Sequence, residues 1–449
     1  MKFRSSMALR VAGFQPAIRR RDAFDTWACL LLCALLALVV PPCLAYGGPV
    51  RKKIAIQAGR IIPITGAEIK DGTILIDDGI VKAIGKQNDV TVPWDAFVIE
   101  AKDKVIMPGF VLAHTSDGLD TPNENLPEVP FLSTFDSIDP PSPFYEDSLR
   151  DGVVAMLVLP GNYTLLGGTG TVVTPHGRTV EDMLVKRYVG LKISLAPIQS
   201  TSRMGHMQRF RRYMDDLKEY REKYDQRKKD AEKDKKPFDE EFDPRKQSMV
   251  DLLDGKLKAF IYCAVAADVP KAIEIIETYK LQAVLVLSPD CYKAAPLIAE
   301  KKLPVILDPQ LVVWHTNEEK NEEEMKVVPQ IFNRAGVKFA LQTDTSSYGR
   351  RYLWYQAATA VKHGMNRDEA LKSITLYPAQ FIGIDDRFGS IEKDKEANLI
   401  FLTGDPLDAQ TWVDKVMRAG EIVYEKDKDE RLKKLLEKPR EKPEHENTD

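Results

Sequence analysis

Val105-Ile106-Met107-Pro108-Gly109-Phe110-Val111-Leu112-Ala113-His114 is the joint on which this chain turns. Apolar residues stand on both sides of a Pro-Gly pair, which interrupts a regular element rather than continuing it. Before the break, residues 52–105 read as short strands of alternating polarity. Ile54-Ala55-Ile56-Gln57, Thr73-Ile74-Leu75-Ile76 and Val81-Lys82-Ala83-Ile84 are examples, with turns at Asp71-Gly72 and Asp77-Asp78-Gly79. After the break, residues 110–113 form the first of eight apolar runs of strand length. The others are 153–159, 171–174, 191–195, 259–263, 283–287, 304–307 and 337–341. Helical patterns separate the later ones, at 271–280, 292–301, 323–335, 352–363 and 367–375. This alternation predicts an α/β fold of eight β/α units, a TIM-like (β/α)8 barrel over residues 108–390, with its chemistry at the carboxyl ends of the strands.

Further strand patterns return at 397–402 and 416–424. They are expected to join residues 50–107 in a small composite β-sandwich domain built from 50–107 and 391–425. Two segments fall outside this plan. Residues 208–247 are densely charged around Lys228-Lys229-Asp230-Ala231-Glu232-Lys233-Asp234-Lys235-Lys236, which reads as a solvated helical insertion, or alternatively a partner-binding arm. Residues 426–449 are a charged tail without an apolar stripe after Leu436 and are expected to fray.

At the other end, Arg19-Arg20-Arg21 precede an apolar run at 27–40, then Pro41-Pro42-Cys43-Leu44-Ala45. The run is shorter than the ~20 residues that span a bilayer, so residues 1–45 read as a signal peptide for export to the periplasm or beyond, with an uncleaved membrane anchor as the alternative. Three of the five cysteines lie there, leaving Cys263 and Cys291, too few for a disulfide framework. A net charge of −3, with 29% charged residues, gives no field to draw nucleic acid or a membrane surface. Gly167-Gly168-Thr169-Gly170 lacks the G-x-G-x-x-G spacing of a dinucleotide site, and no P-loop is present.

The opening stretch resembles the start of amidohydrolase barrels, "hydrophobic-x-P-G-hydrophobic-hydrophobic-D-x-H-x-H", with Leu112 at the aspartate's place. Ala370-Leu371, Ile374-Thr375, Pro378-Ala379, Gly383-Ile384 and Gly389-Ser390-Ile391 resemble that superfamily's ending, with Tyr377 in place of an asparagine, and Ala397-Asn398-Leu399-Ile400 follow. Asp344 stands just past the eighth run. Gly167–Gly170 with residues 177–184 looks like the imidazolonepropionase-like branch of cyclic-amide hydrolases.

The resemblance implies hydrolysis of a carbon–nitrogen bond in a small amide or cyclic amide, with zinc or another divalent metal lowering the pKa of its bound water. It implies His114 and Asp344 as metal ligands, Asp344 also as the catalytic proton carrier, and Lys192 as a further ligand that carries CO₂ between two metals. Cys263 is a substitute ligand at the fifth strand. Other slots are lost: Ser116 stands where the second histidine of His-x-His is usual, Tyr262-Cys263-Ala264 where a histidine pair is, and Leu287 where the sixth strand brings another. His176 and His315 are expected near the rim, His206, His363 and His445 at the surface, and Asp117, Asp120 and Asp290 near the mouth. Two readings stay open: a hydrolase with a reduced, mononuclear or metal-free site, or a non-catalytic barrel that binds a ligand or partners an active paralogue, as a homo- or hetero-oligomer.

Overall fold

The computed structural model describes residues 53–198, 201–317, 321–344 and 350–437. The expected signal segment 1–45 lies outside them. Strands β1 (Lys53–Ile61), β2 (Ile69–Asp77), β3 (Ile80–Lys86) and β4 (Phe97–Pro108) make the first part of a sheet. Ile54, Ile56, Ile74 and Ile76 are buried together in one apolar cluster on this sheet. The chain then passes through Gly109, whose amide donates to the Asn398 carbonyl at 3.0 Å. A Cβ there would lie 2.2 Å from a Val154 methyl, so glycine is what lets the two layers meet.

The strands of the α/β part follow: β5 (Phe110–Thr115), β6 (Val153–Val158), β7 (Leu166–Thr169), β8 (Thr171–Val173), the short β9 (Leu184–Lys186), β10 (Gly190–Ser194), β11 (Lys258–Cys263), β12 (Ala283–Leu287) and β13 (Val305–Ile306). A hairpin of β14 (Val312–Asn317) and β15 (Glu322–Val327) precedes β16 (Phe339–Ala340). Helices Pro143–Arg150, Asp268–Tyr279, Val328–Arg334 and Leu353–Lys362 cover the outside. Strands β5 and β6 are buried at every position, as expected of a sheet covered on both faces.

β5 pairs parallel with β6, and β10, β11, β12, β13 and β16 pair parallel in that order. The third run departs from the expected all-parallel barrel. Its residues form β8, which continues from β7 across Gly170, and this stretch runs antiparallel to both neighbours, β8 on β6 and β7 on β10. The reason is the connection: only residues 159–165 separate β6 from β7, too few for the dozen or more residues that a parallel crossover needs. The ring is also not closed by strand pairing between β16 and β5. Ser373 and Ile374 fill that seam, their carbonyls accepting from the Leu341 and Val111 amides at 3.0 and 2.9 Å.

β17 (Leu399–Leu402), β18 (Val413–Arg418) and β19 (Glu421–Glu425) return to the first sheet. Leu399–Leu402 pair antiparallel with Val105–Pro108, giving one seven-stranded sheet of order β19-β18-β17-β4-β1-β2-β3.

Three expectations need correction. Residues 323–335 are not one helix: 322–327 form β15, and the helix begins only at Val328. The charged segment is not wholly outside the barrel, because helix Arg203–Lys233 begins before it and buries Phe210, Met214 and Leu217 in the main core. Only its later turns project, and residues 234–243 fold back on them through Tyr220, Tyr224, Phe238 and Phe242. The tail does not fray at Lys426: helix Glu430–Leu436 docks through buried Leu432, with Asp429 held by Arg150 at 2.6 Å. Among the described residues no helix is long and apolar enough to cross a membrane.

Candidate functional site

Alternation along β10 puts Lys192 and Ser194 on one face of the sheet, and parallel register sets them level with Phe260 and Tyr262 of β11. The Lys192 ammonium lies 5.6 Å from the Tyr262 ring centroid. Lys192 is completely buried, and burial pulls its pKa from 10.5 down to about 7. Its Nζ lies 2.6 Å from Nε2 of His114, which comes from the carboxyl end of β5. The other ring nitrogen, Nδ1, is 3.1 Å from Oε1 of Gln342, two residues past β16. With that amide oxygen accepting, the ring proton sits on Nδ1, and Nε2 accepts from the Lys192 amine. Burial, and then the Lys192 charge, hold the imidazole well below its ordinary pKa. The chain Lys192–His114–Gln342 therefore links β10, β5 and the residues just past β16.

Two of the sequence-derived site residues, His114 and Lys192, are thus brought together. Gln342 was missed: a glutamine in an apolar run carries no signal of its own. Asp344 stands two residues beyond it, partly buried, its amide donating to the Arg350 carbonyl at 3.1 Å. Its charge reaches Asp308, just past β13, which was also missed. Burial, and more weakly the Asp344 charge, raise the pKa of Asp308, whose carboxylate accepts the Gln310 amide at 2.8 Å.

Cys263 does not join the group. Tyr262 shares the inward parity of Lys192, so the next side chain faces outward. There Cys263 is buried beside Cys291, whose thiol donates to the Cys263 carbonyl at 3.3 Å. Burial, then Cys291 and Asp268, push its thiol well above the ordinary range, against the thiolate that a metal requires.

The remaining histidines and acids lie elsewhere. His176 is exposed, its carbonyl facing Arg418 of β18, and His315 is exposed on the β14–β15 hairpin. His206 is not a surface residue: it is 1% exposed, with Nε2 donating to the Ser194 carbonyl at 2.9 Å. Asp120 accepts from Ser137, and Asp290 pairs with Lys293.

The donors do not fit the zinc that the resemblance implies. Both nitrogens of His114 are engaged, Ser116 and Leu287 offer no strong ligand, and among the described residues no three His, Cys, Asp or Glu side chains converge.

Residues 254–423 match the amidohydrolase family model. The crystal structure of an amidohydrolase from Thermotoga maritima MSB8 aligns with a TM-score of 0.73 at 29% identity, over 83% of this chain and 100% of that one. A dihydroorotase from Caldanaerobacter subterraneus subsp. tengcongensis is 46% identical over 63 residues, a match that spans 14% of this chain and 14% of that enzyme's length.

Proposed function

We propose that this protein is a hydrolase of the amidohydrolase type, acting on the carbon–nitrogen bond of a small amide or cyclic amide at a reduced, metal-poor barrel centre. The family model and the full-length likeness to the Thermotoga amidohydrolase support the reaction class. The observation that carries the rest is the meeting of His114 and Lys192 at 2.6 Å, which takes up the imidazole nitrogen a metal would need. In this reading the Lys192 amine accepts the proton of an attacking water and returns it to the leaving nitrogen. His114 steadies the amine, and Gln342 fixes the imidazole tautomer. Asp308 and Asp344 at the rim orient the substrate's N–H groups. Export through residues 1–45 belongs to the same proposal, as does the imidazolonepropionase-like branch within the superfamily.

One observation favours a second reading. Lys192 is wholly buried and His114 is 7% exposed, so neither is presented to a substrate as a catalytic group ordinarily is. A non-catalytic barrel that binds a ligand or partners an active paralogue accounts for this directly.

The test is metal analysis of the purified chain together with turnover of a panel of hydantoin-, lactam- and imidazolone-type cyclic amides. The first reading expects turnover without stoichiometric metal, insensitive to chelators and abolished by Lys192→Met. Stoichiometric zinc with chelator-sensitive turnover would overturn the metal-poor centre, and the absence of turnover across the panel would favour the binding role.

A further inference from the structure

The strands that carry His114 and Val158 at their carboxyl ends begin at Phe110 and Val153. Beside those starting ends, away from the Lys192 centre, lies a cavity of about 490 Å³. Its walls come from helix Pro143–Arg150, residues 351–354, the loop 402–413 and helix Glu430–Leu436. That volume suits a small molecule, and the lining has the matching character: mostly apolar and aromatic, with a few convergent polar groups.

The charges around it are not balanced. Arg150 places all three of its donor nitrogens, Nε on Asp429 and the other two on Asp147 and Glu146. Arg431 reaches Asp147 at 3.0 Å and Glu146 at 3.5 Å, and Arg351 reaches Asp147 at 3.4 Å. Three arginines and three carboxylates satisfy one another. Asp151, which also lines the cavity, is the surplus: its carboxyl makes no hydrogen bond or ion pair within 4 Å among the described residues. Around it stand Tyr352, Trp354 and Trp412. Trp412 already carries one cation, the Lys426 ammonium, 4.3 Å from its ring centroid.

Asp151 is partly buried; a carboxylate so placed without a partner carries a desolvation cost, and aromatic faces attract positive charge. We propose that this cavity is a second binding site, for a small organic cation of the alkylammonium class, with its charge on Asp151 and its alkyl groups against Tyr352, Trp354 and Trp412. An anion is disfavoured because every arginine here is already paired and Asp151 would repel it. The state of Asp151 agrees with a missing counter-charge. Burial, and then Asp147, push its pKa up to about 7, against the opposing pull of Arg351 and Arg150. The other charged groups that line the cavity, Asp147, Arg150, Arg351 and Arg431, are paired among themselves or with Glu146 and Asp429, so Asp151 is the group whose ionisation the ligand completes.

The experiment titrates choline into the full chain, read by tryptophan fluorescence and calorimetry. Its neutral isostere 3,3-dimethylbutanol and the anion benzoate serve as comparisons. Choline is expected to bind one per chain, at least ~10-fold tighter than the isostere, with a Kd in the millimolar range or below. Its affinity is expected to rise about tenfold from pH 6 to pH 8, as Asp151 gives up its proton. Asp151→Asn should remove that preference and the pH dependence while leaving the urea midpoint unchanged or raised. If that variant does not fold, the isostere comparison and the pH series on the unaltered chain decide alone. Equal binding of choline and isostere, tighter binding of benzoate, or no binding of choline at ~10 mM each overturns the proposal.

Discussion

Replacing Lys192 by methionine separates the energetics of the barrel centre from its chemistry. The unfolded chain holds the lysine proton up to pH 10.5, whereas the folded chain releases it near pH 7. At about 1.4 kcal/mol per pH unit, keeping this amine buried costs roughly 4 to 5 kcal/mol at and below pH 7. Because the unfolded state binds more protons between pH 7 and 10.5, stability rises with pH across that window, and the cost is gone above it. Methionine fills similar volume without an ionisable group, but it leaves Nε2 of His114 without its donor, a loss of about 1 to 3 kcal/mol. The variant should therefore be more stable than the parent by about 2 to 3 kcal/mol at pH 7, equal to it near pH ~9, and less stable by about 1 to 3 kcal/mol at pH ~10.5. Urea unfolding at several pH values measures this. A variant destabilised at pH 7, or one whose gain does not change with pH, would refute the placement of a lone buried amine against His114.

Three further outcomes are expected. Gly109→Ala should destabilise the fold by about 1 to 3 kcal/mol, because the new methyl lands on Val154, and adding Val154→Ala should recover part of the loss in thermal unfolding. Asp429→Asn should cost about 3 kcal/mol, since its carboxylate side chain is only 5% exposed and is held by Arg150. Burial pushes the Asp429 pKa up but Arg150 brings it below the ordinary value, so this contribution is present above pH ~4 and lost at lower pH, and the variant's stability should fall less steeply in acid. Tyr224→Ala removes the ring that holds Phe238 and Phe242 and the hydroxyl bound to the Glu240 carbonyl. Trypsin should then cut near Lys235 and Lys236 sooner, while the global unfolding midpoint moves by no more than ~0.5 kcal/mol.

The strand positions were legible because a buried sheet writes itself as continuous apolar runs: seven of the eight expected runs are parallel strands at nearly the expected residues. Direction was not legible, since Thr171-Val172-Val173 reads alike whichever way it runs. The β14–β15 hairpin was hidden by composition, Glu322-Glu323-Glu324-Met325-Lys326 being good helix formers that tertiary context overrides. At the site, His114 and Lys192 were pointed to by the family resemblance, in the first and fourth apolar runs. Cys263 was misjudged by one residue of parity, which in a strand is the difference between the two faces. Gln342 and Asp308 lie just past strands too short to frame them, and His206 looked exposed because its helix is so heavily charged beyond Leu217.

The pairing of β4 with β17 has a consequence for synthesis. Leu399 meets Pro108 across about 290 residues of intervening chain, so the edge of β4 stays bare until nearly the whole polypeptide has left the ribosome. Until then, apolar Val105, Ile106 and Met107 offer unpaired backbone to any passing strand. Chains shortened by a premature stop before residue 399 would keep that open edge permanently, and such products should collect in aggregates rather than as soluble barrels.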